Sequence, residues 1–344
     1  MRINPEATAD DRLLWDLHFS PLAFPAVTAA LELKLFDVLA GEPLAAADVA
    51  GRFGLNRRGA NALLAVLAAN GLLHARGGLY GPSEAASRYL VSDSPYFWGP
   101  VFDMMRMMPV THDGLMTVLR APDEASELAS LQDMPSDSWT RGEISADEAR
   151  MVTRYMNANS LTAAEVAARR LAAGGIRKIL DVGGGSGCFI IAMLKAHAHL
   201  TGGILDLEPV CRAAREYVDA AGLSERIIME PRNMFREAWP AGYDALFFSN
   251  IFHDWNVNTC RLLAEKAFEA LPRGGTILLH EALLADGNDG PPTTAAFSLY
   301  MLAGTKGQQF TFLELKGILE AAGFTGVSAR PAHAYHFLVS ARKP

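Results

Sequence analysis

Three residues in the second half of the chain have side chains suited to acid–base chemistry. His253 and Asp254 lie in IFHDW, directly past a strand predicted from DALFFSN, and Glu281 lies in TILLHEALL. An imidazole with an ordinary pKa of about 6.5 can accept a proton from a phenol at neutral pH. Because successive strand residues face opposite sides, only one of His280 and Glu281 can face the same space as His253. A single histidine is more often structural, so catalytic and packing roles both stay open.

A second segment, RKILDVGGGSGCF, has the residues of a cofactor-binding turn. Its apolar start predicts a buried parallel strand, and its glycines predict a tight turn into a helix that begins near Ser186. Glycines leave room for a bound molecule near the backbone and allow positive φ. The alternate glycines of this turn are Gly183, Gly185 and Gly187.

Two carboxylates help to decide which cofactor this turn would hold. The dinucleotide pattern G-x-G-x-x-G fails, because Cys188 occupies its last position. Asp181, just before the turn, would repel a pyrophosphate and suits a cofactor that carries an ammonium and a sulfonium. Asp206 lies about twenty residues further on, where an acidic residue can bind both ribose hydroxyls. The alternatives are a glycine turn of another α/β protein and, for the ribose, Glu208.

The elements that position these residues follow from the hydrophobic pattern. From Gly175 onward strands and helices alternate, which predicts an α/β fold with a doubly wound parallel sheet and ligands at the carboxyl ends of its strands. The predicted strands lie near Lys178, Gly203, Ile227, Tyr243, Thr276, Gly326 and Tyr335. The predicted helices lie near Gly187, Val210 and Thr259.

The N-terminal part has a different pattern. A helical periodicity covers residues 11–40, and two short helices are predicted over 45–53 and 58–70, each followed by a glycine. Residues 72–89, with two glycines in their middle, predict a β-hairpin, so the order is that of a winged helix. Its would-be recognition helix, ANALLAVLAANG, is almost wholly apolar, whereas a helix that reads DNA needs polar and basic side chains. Packing or dimerisation is therefore favoured over DNA binding.

Residues 91–171 again have a helical pattern, interrupted by a polar segment near 133–142. A methionine cluster beside Phe102 has two interpretations, because methionines adapt to flat or irregular ligands and also fill ordinary core gaps. Its members are Met104, Met105, Met107 and Met108.

The composition disfavours several kinds of partner. A formal net charge of -7 over 344 residues argues against nucleic acid and anionic membranes. The three cysteines have no metal-type spacing and cannot all pair, which fits a reducing compartment. The N-terminus lacks the apolar stretch of a signal peptide. We expect a cytoplasmic protein with no membrane span and no bound metal, whose partners are small molecules or proteins.

Several segments, in order along the chain, resemble a known family. They are FPAVTAALELKLFDVLAG, DVGGGSG, the Asp206 turn, and HDW followed by Glu281. They are similar to class I S-adenosylmethionine-dependent small-molecule O-methyltransferases of the caffeic acid and acetylserotonin type, in their bacterial branch. The resemblance covers almost the whole chain and implies a Rossmann-like methyltransferase sheet with an N-terminal winged-helix dimerisation domain. It also implies a homodimer whose N-terminal domains intertwine and close the partner's pocket.

The resemblance divides the chain into three parts. Residues 1–95 would form the dimerisation domain, and residues 96–172 a helical linker that contributes to the substrate pocket. Residues 173–344 would form the catalytic domain that binds S-adenosylmethionine.

The resemblance also implies a role for each acid–base residue. His253 would be the general base, and Glu281 would orient it by accepting the other imidazole N–H. Asp254 would fix the geometry or contact the substrate. A second carboxylate that usually flanks the base falls on Gln309 in KGQQFT, which can hydrogen-bond but cannot compensate charge. His280 is then expected to be packed or exposed.

The implied ligand contacts lie at the ends of the strands and on the helices beside them. The cofactor contacts are Asp181, Gly183, Gly185, Asp206, Leu207, Asn233, Met234 and Ser249. Asn233 stands where the family's adenine-holding turn G-D-M-F has its aspartate, and Ser249 where plant members often have a lysine. The substrate contacts are Met156, Phe297, Met301 and Gln309. On spacing alone, Phe297 and Met301 are equally consistent with core positions.

The expected reaction is transfer of the methyl group of S-adenosylmethionine to a hydroxyl of a small metabolite, expected to be aromatic. Methyl transfer to carbon or nitrogen on the same scaffold is one alternative. A metal-assisted branch is disfavoured, because Leu299 stands where that branch has a histidine. A regulator that only senses S-adenosylmethionine is the other alternative, and the apolar helix and acidic charge count against it.

Overall fold

The computed structural model describes residues 10–107, 109–122 and 136–344. They fall into two units, with the boundary at the end of the first range. The helical linker expected over 96–172 is therefore divided, its first helix belonging to the N-terminal unit and its last to the C-terminal unit. Met108 of the methionine cluster and the first part of the predicted polar segment lie outside the described residues.

The first unit contains helices and a small sheet in the order of a winged helix. Its helices are α1 (Arg12–Phe19), α2 (Ala23–Glu32), α3 (Leu35–Gly41), α4 (Ala46–Arg52), α5 (Arg57–Ala69), α6 (Glu84–Tyr89) and α7 (Gly99–Met107). Its strands are β1 (Leu44–Ala45), β2 (Leu73–Arg76) and β3 (Leu79–Pro82). β3 pairs antiparallel with both other strands. Gly77 and Gly78 form the turn of the predicted hairpin, with φ of 59° and 80°.

Two predicted boundaries in this unit are wrong. The first helical periodicity corresponds to three helices, because Ser20–Leu22 forms a 3-10 turn and Lys34 adopts a left-handed conformation with φ of 53°. The predicted hairpin ends at Pro82. Ser83 then accepts a backbone hydrogen bond as the N-cap of α6, so the last residues assigned to the hairpin are helical.

The two ends of this unit bury their apolar side chains to different extents. On α5, Ala60, Leu64 and Leu67 are fully buried, so one face of this helix packs in the core of the unit. On α1, Leu13 and Trp15 are 76% and 56% exposed, and no residue of the helix is buried in the described chain. Exposed apolar patches of this kind mark interaction surfaces.

The second unit alternates helices and strands from β4 onward. Its helices are α8 (His112–Arg120), α9 (Ser136–Arg141), α10 (Ala146–Arg170), α11 (Cys188–Ala196), α12 (Glu208–Ala220), α13 (Val257–Ala270), α14 (Pro292–Gly304) and α15 (Phe312–Ala321). Its strands are β4 (Lys178–Val182), β5 (Thr201–Asp206), β6 (Ile227–Pro231), β7 (Ala245–Ser249), β8 (Thr276–Ala282), β9 (Thr325–His333) and β10 (His336–Arg342). All seven strands were predicted. The polar segment that was predicted to interrupt the helical pattern instead contains the helix α9, which corrects that prediction.

These strands form one doubly wound, Rossmann-like sheet in the order β6-β5-β4-β7-β8-β10-β9. The five strands β4 to β8 are parallel, and β10 is antiparallel to β8 and β9. β7 is buried from Ala245 to Phe248, as expected for a central strand covered on both faces. The strand order reverses at β4, so the carboxyl ends of β4, β5 and β7 meet where such sheets bind ligands.

Candidate active site

The turn after β4 is shaped to accept a ligand. Gly183, Gly185 and Gly187 all have positive φ, as predicted, and α11 begins at Cys188, slightly later than predicted. A Cβ at Gly183 would overlap the end of the Ile251 side chain, which would have to shift to make room for it. A Cβ at Gly185 would meet nothing within 4 Å. The open side of the turn therefore lies at Gly185.

Asp206 attaches this turn to the end of β5. Its Oδ2 accepts a hydrogen bond from the Gly185 N–H at 3.0 Å, and its Oδ1 accepts one from the Leu207 N–H at 2.8 Å. The alternative from the sequence, Glu208, forms an ion pair with Arg212 on α12. Asp206 is thus the carboxylate that is held against the glycine turn.

Asp181 is a buried carboxyl with one unpaired oxygen. It is 2% exposed, and its Oδ2 has no hydrogen-bond partner in the described chain. Burial and the nearby charge of Asp206 raise the pKa of Asp181 to about 8, and burial raises the pKa of Asp206 to about 6. A buried carboxyl resists ionisation unless an opposite charge compensates it. The two acids therefore fit a cationic cofactor and disfavour a pyrophosphate.

The turn after β6 is held by Asn233. Its Oδ1 accepts hydrogen bonds from the N–H groups of Phe235 and Arg236 at 3.0 and 3.3 Å, and its Nδ2 donates to the Thr140 carbonyl oxygen at 2.9 Å. An aspartate could accept the first two bonds but could not donate the third. The amide therefore attaches α9 to the turn that carries Met234, and its contact with adenine stays a prediction.

A short 3-10 turn after β7 carries His253. The imidazole is 3% exposed, and its Nδ1 lies 3.0 Å from Gln309 Nε2 and 3.5 Å from Glu281 Oε2. Its Nε2 lies 3.5 Å from Asp254 Oδ1. Phe297 stands edge-on to the ring, with centroids 5.2 Å apart. The fold thus gathers the predicted base, both acidic residues and two predicted substrate residues around one ring.

Burial dominates the electrostatics of this cluster. It lowers the pKa of His253 to about 3, and charge on His336 adds to this effect. It raises the pKa of Asp254 to about 7 and that of Glu281 to about 8. Removal from water disfavours the charged form of each group. In the ligand-free protein, His253 and Glu281 therefore favour their neutral forms at neutral pH.

Glu281 makes its hydrogen bonds with the backbone of the His253 turn. Its Oε1 accepts hydrogen bonds from the N–H groups of Ile251 and Phe252 at 3.0 and 2.9 Å. Its Oε2 faces the imidazole at 3.5 Å and makes no hydrogen bond in the described chain. The hydrogen bond expected between the imidazole and Glu281 is therefore only a contact, and Gln309 is the closer neighbour of Nδ1.

His280 belongs to a separate buried network. Its Nδ1 lies 3.0 Å from Ser249 Oγ, and its ring stacks on His336 with centroids 4.7 Å apart. His336 Nε2 lies 3.0 Å from the Asn250 side-chain oxygen. His280 is fully buried, so of the two expected positions, packed or exposed, the structure has the packed one. Ser249, expected at the cofactor, is bonded to this network.

Two family models match the chain. The O-methyltransferase domain matches residues 131–325, and the O-methyltransferase dimerisation domain matches residues 15–92. The chain belongs to the O-methyltransferase family. The second match supports the expected homodimer.

Individual relatives of this O-methyltransferase agree with the family. 3-hydroxy-5-methyl-1-naphthoate 3-O-methyltransferase of Streptomyces sahachiroi is 34% identical over 92% of this chain and 90% of its own length. L-tyrosine C(3)-methyltransferase of Streptomyces lavendulae is 28% identical over 91% of this chain and 86% of its own length. The structure of PigF with SAH, the demethylated form of S-adenosylmethionine, has a TM-score of 0.79 and 25% identity over 97% and 100% of the two chains. The cofactor of the family is S-adenosylmethionine.

Two of the four predicted acceptor contacts of the O-methyltransferase lie beside His253. Phe297 and Gln309 adjoin His253, whereas Met301 is buried on α14 and Met156 half-buried on α10, where both remain predictions. Within the described ranges, no group of three or more histidine, cysteine, aspartate or glutamate side chains could hold a metal. No helix in those ranges has the length and apolarity needed to cross a membrane.

Two residues that support the site were not predicted. A Cβ at Gly307 would overlap the carbonyl oxygen of His253 and lie 2.5 Å from Trp255 N. The available signal was a glycine two positions before the glutamine that meets the base. Thr140 was missed because its partner Asn233 is 93 positions away and the contact uses a backbone oxygen.

Proposed function

We propose that this O-methyltransferase transfers the methyl group of S-adenosylmethionine to a hydroxyl of a small aromatic metabolite, with His253 as general base. The observation that carries the proposal is the buried imidazole past the carboxyl end of β7, whose Nδ1 is enclosed by Gln309 and Glu281. The edge-on ring of Phe297 suits a flat acceptor. The naphthoate enzyme, by its name, acts on an aromatic hydroxyl.

The proposed step uses His253 to move one proton. S-adenosylmethionine, when bound, supplies a methyl group on a sulfonium and leaves as a neutral thioether. Nε2 of His253 accepts the hydroxyl proton as the acceptor oxygen bonds to the methyl carbon, which contributes roughly 10²–10⁴-fold. Glu281 and Asp254, whose raised pKa values fall again next to a cation, ionise and stabilise the imidazolium, which then returns its proton to solvent. The remaining acceleration comes from holding the reacting atoms in line, with effective molarities of about 10⁵ M or more.

The proposed cofactor site combines the ends of four strands. Its residues are Asp181, Gly183, Gly185, Asp206, Leu207, Asn233, Met234 and Ser249. The unpaired oxygen of Asp181 suits the cationic end of the cofactor. Asp206 already accepts two backbone hydrogen bonds and keeps lone pairs for ribose hydroxyls. Met156, Phe297, Met301 and Gln309 are proposed to surround the acceptor.

The test is a mass-spectrometric screen of the purified enzyme with S-adenosylmethionine against phenols, hydroxyquinones, hydroxylated heterocycles and 2-oxo acids. We expect a methyl ether whose formation falls by about 10²-fold or more in His253→Ala, with nearly unchanged cofactor affinity. The control is His199→Ala, which changes an exposed histidine. Unchanged turnover in the His253 variant would refute the base.

Methyl transfer to carbon is the second candidate. It is supported by the identity to an L-tyrosine C(3)-methyltransferase and by the neutral Gln309 beside the base. A phenol that has lost its proton is nucleophilic at its oxygen and at its ortho carbon, so the same base serves either reaction. The orientation of the acceptor decides between them, and a C-methyl product in the same screen would select this candidate.

We also propose that two copies associate through α1 with intertwined N-terminal units, that the protein acts in the cytoplasm, and that it does not bind nucleic acid. The support is the exposed apolar face of α1, the three buried free cysteines and the acidic net charge. Light scattering should show a dimer that dissociates in a Trp15→Asp, Leu17→Asp double variant. Leu313→Asp, at a 58% exposed leucine of the second unit, is the control.

A further inference from the structure

The chain between β7 and the turn that carries His253 passes through a residue in an uncommon backbone conformation. β7 ends at Ser249, which pairs with His280 of β8, and the Asn250 N–H then donates to the His280 carbonyl oxygen at 3.0 Å. Asn250 has a φ of 53°, in the left-handed region that residues other than glycine rarely adopt. The pairing with β8 therefore ends at Asn250, and the chain changes direction there.

The two residues after Asn250 connect this conformation to the proposed base. The N–H groups of Ile251 and Phe252 both donate to Oε1 of Glu281, and His253 is the next residue. A return of Asn250 to negative φ would rotate the chain that follows, so these two N–H groups would no longer point to the same oxygen. The position of the imidazole thus depends on the left-handed conformation of Asn250.

His336, the first residue of β10, holds the side chain of Asn250. Its Nε2 lies 3.0 Å from Asn250 Oδ1. An amide oxygen only accepts hydrogen bonds, so the ring carries its proton on Nε2. Burial lowers the pKa of His336 to about 4, and charge on His333 adds to this effect. At neutral pH the ring is therefore neutral, and its single N–H is the one that Asn250 accepts.

Packing fixes the ring of His336 in this place. The ring stacks on His280, with centroids 4.7 Å apart and planes at 7° to each other. The backbone of His336 pairs with Ala282 of β8 and with His333 of β9. The donor therefore has a defined position beside Asn250, although it lies 86 positions further along the chain.

We propose that His336 is a positioning residue, which holds Asn250 in its left-handed conformation and so sets the turn that presents His253 to the acceptor. The inference rests on the proposed role of His253 as the base. His336 acts through one hydrogen bond and through the backbone that follows Asn250. The competing explanation is that His336 only fills space against His280, and it predicts a different response to substitution.

The first test is a double-substitution cycle, because glycine adopts the left-handed conformation without any side-chain contact. His336→Phe keeps a flat ring against His280 but removes the N–H, and it should lower kcat by about 10-fold with a nearly unchanged KM for S-adenosylmethionine. Asn250→Ala should lose as much, and Asn250→Gly much less. In the Asn250→Gly protein, His336→Phe should change kcat by less than about threefold. An equal loss in both backgrounds would overturn the inference.

The second test follows the turn without using turnover. Amide hydrogen exchange of Ile251 and Phe252, measured by NMR, should be about 10-fold faster in His336→Phe. It should return toward the wild-type rate when Asn250→Gly is added. Unchanged exchange at both amides in His336→Phe would contradict the inference, even if kcat fell. If the exchange follows the expected pattern but His253→Ala keeps its turnover, the proposed base fails and the hold of His336 on the turn is still shown.

The matched controls repeat both changes elsewhere in the second unit. His333→Phe replaces a half-buried histidine of β9, opposite His336 in the hairpin. Asn288→Gly replaces an exposed asparagine whose φ is 57°. Both should leave kcat and the two exchange rates within about twofold of the wild type. A tenfold loss of kcat in His333→Phe would mean that the hairpin as a whole, and not the contact with Asn250, sets the turn.

Discussion

The two ends of the candidate site bury their acidic groups beside different neighbours. At the cofactor end, Asp206 lies close enough to raise the cost of ionising Asp181, and one oxygen of Asp181 has no hydrogen-bond partner among the described residues. At the base end, His253 is enclosed by the neutral Gln309 and by Glu281, which burial keeps largely neutral. The first end becomes fully ionised only beside a cation, and the second stays neutral until a proton moves.

This difference matches the charges of the two reactants. The cofactor is a cation and can satisfy the buried acids, whereas a phenol is neutral until its proton leaves. The cofactor end should therefore gain stability from its ligand, while the base end should be rigid without one. Each expectation can be tested with a variant that affects one end and leaves the other intact.

The largest effect is expected for Gly307→Ala at the base end. The added methyl group would overlap the His253 carbonyl oxygen, and two packed backbone segments would have to separate. We expect a loss of about 3 kcal/mol in the free energy of unfolding and a large loss of turnover, with a smaller effect on cofactor affinity. Urea unfolding and cofactor titration would measure these quantities.

Gly317→Ala on α15 is the matched control. A Cβ there meets nothing within 4 Å, so alanine should raise the free energy of unfolding by about 0.5–1 kcal/mol. A Gly307→Ala protein with the stability and turnover of the wild type would show that the close approach does not fix the base.

The second largest effect is expected for Asp181→Asn at the cofactor end. The amide keeps the shape of the side chain but cannot compensate a cation, so S-adenosylmethionine should bind about 10- to 100-fold more weakly. The ligand-free protein should be no less stable, because a costly buried acid has been removed. Glu216→Gln, at an exposed carboxylate of α12, is the control. Lower stability with unchanged affinity would assign Asp181 a purely structural role.

The affinity for the cofactor is expected to change with pH by up to about tenfold per unit. Burial and Asp206 raise the pKa of Asp181 to about 8, and a bound cation should lower it again. Binding then releases a proton below pH 8, so affinity should rise by up to about tenfold per unit from pH 6 to 8 and level off above. Calorimetry in two buffers would count the proton. Wild-type affinity that does not change with pH would mean that Asp181 is already ionised.

The raised pKa of Asp181 also changes how the free energy of unfolding depends on pH. Between the ordinary pKa of 3.8 and about 8, Asp181 is protonated in the folded chain and ionised in the unfolded chain. It therefore lowers the stability of the ligand-free protein as pH rises through this window. Subtracting the stability of Asp181→Asn from that of the wild type at each pH should isolate this component from the opposite contribution of the buried histidines.

The sheet was predictable because each strand is a short apolar run followed by a turn residue, and such runs specify both strand and burial. Asp206, His253 and Glu281 could be found because parallel strands bring their carboxyl ends to one edge. The partner of Nδ1 could not be found in this way, and only the resemblance to the family indicated Gln309 beside the base. Gln309 lies 56 positions from His253, and its proximity depends on how α14 and α15 are joined. Contacts that use backbone atoms, such as those of Gly307 and Thr140, leave still less trace in side-chain patterns.

The smallest effect, and the one that separates two roles, is expected for Asn233→Asp. The carboxylate keeps the bonds from Phe235 and Arg236 but faces the Thr140 carbonyl oxygen, now without a proton to donate. Losing that bond should cost about 1–2 kcal/mol in the attachment of α9 and weaken cofactor binding only several-fold. Faster hydrogen exchange in residues 138–143 would report the released helix.

The control for this substitution is Asn258→Asp, which makes the same chemical change at an exposed position on α13. The direction of the affinity change decides what Asn233 does. Weaker binding with faster exchange means that the amide holds α9 in place. Tighter binding means that the side chain faces the adenine amine, because a carboxylate accepts that hydrogen bond better than an amide does. The same substitution thus tests whether the asparagine serves the ligand or the helix beside it.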